Sequence, residues 1–110
     1  MAILRNQLAA AAEALAPVLR FDRPADAVLH DFFGAHRALG AHDRAFVADT
    51  VYGVLRRKRT VDHLAPEGTP RQLVLAYLVR PAGVSVRDVA GLLDPVEAEW
   101  LKRVRAAPLG

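Results

Sequence analysis

Apolar residues recur along this chain at helical spacing, in blocks punctuated by proline, glycine and capping residues. Leu4, Leu8, Ala11, Ala12, Leu15, Val18 and Leu19 form one stripe, which predicts a helix over residues 2–19 that Pro17 kinks. Arg20-Phe-Asp-Arg-Pro reads as a loop, and Pro24 suits the first position of a second helix. That helix buries Ala25, Val28, Leu29, Phe32 and Phe33. Gly34 weakens it, and Gly40 is its expected terminator. Asp43 reads as the N-cap of a third helix with Phe46, Val47, Val51, Val54 and Leu55 inward. Gly53 costs that helix roughly 1 kcal/mol against alanine, so a close helix–helix contact is expected there.

The second half carries clear start signals. A short helical turn is expected around residues 61–65. Thr69-Pro-Arg-Gln72 and Asp94-Pro-Val-Glu97 are capping boxes with proline at the first helical position. The first opens a helix carrying Leu73, Ala76, Tyr77 and Leu78 that ends at Arg80-Pro81. The second opens one carrying Val96, Trp100, Leu101 and Val104. Between them Ser85 and Asp88 read as a further cap, stapled by Val84 and Val89, of a helix bearing Val86, Leu92 and Leu93. No run of alternating polarity is long enough for a strand. The expectation is one all-α domain over residues 1–110, a compact bundle of about six or seven helices.

Composition narrows the chemistry. Of 110 residues, 53% are hydrophobic and 25% charged, which is a globular balance. There is no cysteine, so disulfides, thiolate-bound zinc and a thiol nucleophile are excluded within this chain. Arg5 and the following Leu8-Ala-Ala-Ala-Ala superficially resemble a signal peptide, but Glu13 interrupts the apolar run. No apolar run approaches the roughly 20 residues of a membrane span. The expected setting is soluble and cytoplasmic, with no membrane partner.

Charge then picks out one segment. Net charge is +3, and Arg56-Arg57-Lys58-Arg59 places four cations in a row. On the expected helix they encircle the last turn, where cations complement the macrodipole at about 0.3–1 kcal/mol each. Four exceed that need. With Arg20 and Arg23 they are the candidate phosphate contacts. His30, His36, His42 and His63 do not converge at their spacing, and a metal site is not expected. Asp22, Asp26, Asp43, Asp49 and Asp62 suggest caps and dipole partners more than an acid–base pair. Gly-rich phosphate loops and a nucleophile elbow are absent. Residues 85–105 have the outline of a helix-turn-helix, but Glu97 and Glu99 stand where base-reading residues would be needed.

Phe21-Asp-Arg-Pro-Ala-Asp-Ala-Val-Leu29, Leu39-Gly-Ala-His-Asp-Arg-Ala-Phe-Val47 and Val51-Tyr-Gly-Val-Leu-Arg56 together resemble the N-terminal domain of the bacterial Sun (Fmu) family. Members of that family are S-adenosylmethionine-dependent rRNA 5-methylcytosine methyltransferases, and the domain is similar to NusB, an all-helical RNA-binding fold. The resemblance is strongest over residues 21–57. It implies a NusB-like bundle, ribosomal RNA as partner, and a separate C-terminal catalytic domain that holds the cofactor. The family's two catalytic cysteines and Gly-rich cofactor loop have no counterpart here, so this chain alone is expected to catalyse nothing. Ala107-Pro-Leu-Gly reads as a domain boundary. A competing expectation is a protein-interaction or dimerisation module with Leu92, Leu93 and Val96 exposed.

Overall fold

The computed structural model describes residues 2–108. Six α-helices follow one another: α1 Arg5–Val18, α2 Ala25–Ala35, α3 Ala41–Arg56, α4 Lys58–Leu64, α5 Pro70–Val79 and α6 Pro95–Ala106. Two 3-10 turns, Val86–Asp88 and Ala90–Leu92, lie between α5 and α6, and no strand occurs among the described residues. Part of the expected boundary, Leu109 and Gly110, lies outside them.

The alanine-rich α1 is the hub. Its buried face of Leu8, Ala11, Ala14, Leu15 and Val18 packs mainly against α3 and α5. Alternating leucine with alanine lets three helices approach closely while filling the space between them. Leu4 departs from the expected stripe. It lies just before the helix, half-exposed, and its backbone N–H is capped by the Gln7 side chain at 3.0 Å. Asn6 and Gln7 donate to the Asp43 carboxylate at 3.3 and 3.0 Å. Val18 and Leu55 line a common groove at the other end. α1 and α3 therefore run parallel, with both C-termini at one pole.

Gly53 sits where α3 crosses α5. It is buried, and a β-carbon there would overlap the hydroxyl and ring of Tyr77. The expected close contact is present, and its partner is an aromatic side chain. The Thr69 box also forms, with Gln72 N–H donating to Thr69 Oγ1 at 3.2 Å and Thr69 N–H to Gln72 Oε1 at 2.9 Å. Thr69→Ala is expected to destabilise the fold by about 1 kcal/mol, measured as a shift in the urea midpoint at unchanged slope.

Four local readings are corrected. Gly40, not Asp43, is the N-cap residue of α3, and the Asp43 carboxylate is engaged by α1. Pro24 precedes α2 with extended backbone and is not its first residue. α2 ends at Ala35, well before Gly40, and His36 Nδ1 lies 2.8 Å from the Phe32 carbonyl oxygen. The segment opened by Ser85 keeps its cap, with Arg87 N–H on Ser85 Oγ at 3.2 Å, but makes 3-10 turns in place of an α-helix. The cause is tertiary. The Asp88 carbonyl, which an α-helix would give to Leu92 N–H, accepts from Ile3 N–H at 3.2 Å. Leu92 N–H turns to Val89 O instead. Without a first helix, the helix-turn-helix outline is gone.

α6 is fixed at both ends. Asp94 and Glu97 form the second expected box, with Glu97 N–H on Asp94 Oδ1 at 2.8 Å. Arg80 donates to the carbonyls of Val104, Arg105 and Ala107 at 2.8, 3.0 and 2.7 Å, capping the C-terminus. Arg71 clasps Glu97 through two nitrogens at 2.6 and 3.2 Å and also donates to Leu92 O. Val96, assigned to the apolar face, is 79% exposed, whereas Leu101 and Val104 are buried and Trp100 is half-buried. The Arg71 hydrogen bonds hold the Glu97 carboxyl below the usual carboxylate range. A depressed acid stabilises the fold above its unfolded pKa, and that stability is lost as pH falls through the lower folded value. Glu97→Gln keeps the box but not the charge. It is expected to be less stable than wild type by about 1 kcal/mol at pH 7, with the difference closing as pH drops below about 4.

Candidate nucleic-acid interface

The four cations do not encircle one helical turn. Arg56 is the last residue of α3, Arg57 is the joint, and Lys58 and Arg59 open α4. Arg57 is the C-cap residue of α3 and the N-cap residue of α4. Its N–H bonds Gly53 O at 3.1 Å, its carbonyl accepts from Val61 N–H at 2.9 Å, and its backbone is at φ −112°, ψ 29°. The break redirects the chain so that Val61 and Leu64, both buried, reach the core.

This changes the electrostatic account. Arg56 complements the α3 dipole, but Lys58 and Arg59 stand at a helix N-terminus, where the dipole disfavours positive charge. Lys58 recovers part of that cost through Asp62, one turn on, at 2.6 Å. Among the described residues Arg59 has no such partner. Dipole compensation thus explains Arg56, is opposed by the α4 N-terminus at Arg57, which caps both helices, and explains neither Lys58 nor Arg59.

The other expected contacts share this pole. The loop after α1 runs beside Leu55, and Val18, Phe21, Arg23, Pro24 and Leu55 help line one shallow groove. Arg23 is committed to Asp31 at 2.8 Å, an exposed pair worth little in water. Tyr52 donates to Asp26 and ties α2 to α3, a bond that raises the Tyr52 hydroxyl pKa above its ordinary value. Among the described residues, Arg20, Arg56, Arg57 and Arg59 are exposed and make no ion pair. Of six candidate cations, then, two are held by aspartates and four face solvent.

One residue at this pole was not singled out from the sequence as a contact. Phe21, between Arg20 and the Asp22-Arg23 pair, is 66% exposed and has φ 55°. A positive φ is costly for a bulky residue, and glycine is the usual occupant after a helix. The signal available in the sequence was a phenylalanine directly after a helix end, flanked by arginines.

The histidines scatter. His36 Nε2 lies 3.3 Å from Glu13, His63 Nε2 lies 3.1 Å from Pro108 O, and His30 lines an open cleft with Arg37 and Arg44. Among the described residues no cluster of three His, Asp or Glu side chains could hold a metal ion. No helix among them is long and apolar enough to cross a membrane. No protein-family model matches this chain, and no curated protein and no solved structure matches it significantly.

Proposed function

We propose that this chain is an RNA-binding helical domain that grips ribosomal RNA at the α3–α4 joint. On this reading it positions RNA for a separate S-adenosylmethionine-dependent cytosine-5 methyltransferase domain in a cytoplasmic parent protein. The NusB-like topology is part of the proposal. The observation that carries it is the placement of Arg57 and Arg59 at and just after a helix break, exposed and without an ion pair among the described residues, with Arg59 against the dipole. A fold does not need cations there, whereas a phosphate backbone does. The resemblance over residues 21–57, which contains most of the loop and all of α2 and α3, supports the choice of RNA and of the methyltransferase parent.

Arg20, Arg56, Arg57 and Arg59 are the primary phosphate contacts in this account, and Arg23 and Lys58 follow by exchanging Asp31 and Asp62 for phosphate. Fluorescence anisotropy with a labelled rRNA fragment tests it. Binding that weakens steeply with added salt is the expected result, and no binding at low salt would refute the proposal.

A second reading has its own observation. Val96 stands 79% exposed at the start of α6, a few residues after half-buried Leu92 and Leu93 and remote in sequence from the cationic pole. On that reading Val96 docks against a protein surface or a second copy. Light scattering decides: a stable dimer that Val96→Asp dissociates, without RNA affinity, favours it.

A further inference from the structure

We infer that Phe21 is a stacking platform for an unpaired base, which makes the cationic pole a reader of single-stranded RNA. The inference rests on the RNA-binding proposal and names the class of RNA it takes.

Three observations converge on this side chain. It is a large apolar group left 66% exposed. Its backbone is held at φ 55°, where L-residues are disfavoured and glycine would sit freely. The conformation follows from the end of α1, where Arg20 N–H bonds Pro17 O at 3.2 Å and Phe21 N–H bonds Val18 O at 3.2 Å. A strained residue whose side chain is mostly outside the core gains little from folding in return, and strain of this kind collects at binding sites. Thirdly, Arg20 and Arg23 flank the ring in sequence, and the groove it helps line runs to Leu55, the residue before Arg56.

The chemistry fits a nucleobase. Proteins that hold single strands combine an electropositive track for phosphates with an aromatic face on which a base stacks. Bases in a duplex are stacked on each other and offer no free face, and A-form helices are recognised mainly through backbone and shape. An exposed phenylalanine, with no hydrogen-bonding atom, contributes to a single strand and not to a duplex. It also reads no base identity, so the expected preference is for unpaired over paired RNA, with weak dependence on sequence.

The test separates binding from folding. Phe21→Gly removes the ring and the backbone strain together. Its melting temperature is expected to equal or exceed wild type, while affinity for an unstructured RNA decamer falls on the order of tenfold. Phe21→Trp restores affinity to wild type or better. The dependence of affinity on salt stays the same across the three proteins, because no phosphate contact is lost, and affinity for a blunt RNA duplex is unaffected by Phe21→Gly. Unchanged decamer affinity in Phe21→Gly, with wild type still binding in a salt-dependent way, overturns the stacking role and leaves the domain an RNA binder. Failure of wild type to bind either RNA overturns the function itself, and the stacking role with it.

Discussion

Replacing Arg56, Arg57, Lys58 and Arg59 together by glutamate is expected to lower RNA affinity at least about 100-fold at physiological salt. Each phosphate contact to a single strand contributes about 0.7 to the slope of log affinity against log salt. Four such contacts are worth roughly two orders of magnitude at about 0.15 M relative to 1 M, and reversed charges add repulsion. The fold should survive. The substitutions remove one ion pair, Lys58 with Asp62, and an exposed pair is worth about 0–1 kcal/mol. Glutamates at the first turn of α4 then suit its dipole better than the native cations do. An unchanged circular dichroism spectrum beside lost affinity is therefore the expected pair of results. Unchanged affinity would remove these four residues from the interface. Reversing Arg56 alone should cost less affinity than reversing Arg57 with Arg59, because one phosphate contact is lost in place of two.

The second large effect is on stability. Gly53→Ala is expected to destabilise the protein by up to about 2 kcal/mol, although alanine is the better helix former by roughly 1 kcal/mol. The added methyl overlaps Tyr77, and overpacking of this kind costs typically about 1–3 kcal/mol. The opposing terms make the control informative. In a Tyr77→Ala background the obstruction is gone, propensity alone remains, and Gly53→Ala should turn stabilising. Urea denaturation of the four proteins reads the reversal of sign. A Gly53→Ala protein as stable as wild type would mean that the Tyr77 ring, which is half-buried, swings aside without cost.

What could be read from the sequence follows the range of the interactions that determine each element. The Thr69 and Asp94 boxes are complete within four residues, and both formed as expected. Gly53 was legible because glycine inside an amphipathic helix calls for an external reason. Asp43 was misassigned because its carboxylate bonds Asn6 and Gln7, more than thirty residues away, and nothing local announces them. The segment after Ser85 failed for the same reason, through the Ile3–Asp88 bond. The cations were legible as a cluster but not as a joint. Arg-Arg-Lys-Arg has good helix propensity throughout, and the break at Arg57 is imposed by the need of Val61 and Leu64 to reach the core. Tertiary demand therefore converted a helix-terminal charge run into cations on an exposed bend.

The salt dependence of RNA affinity for wild type beside Arg57→Glu/Arg59→Glu shows whether the α3–α4 joint holds phosphates. Anisotropy titrations between 50 and 300 mM salt, about a factor of six in concentration, span enough of the logarithmic scale to resolve the slope. Wild type is expected to show a steep negative slope, shallower by about 1.4 in the double variant, which is the share of two phosphate contacts on a single strand. Equal slopes in the two proteins would contradict the assignment of the α3–α4 joint as the site where this domain holds RNA.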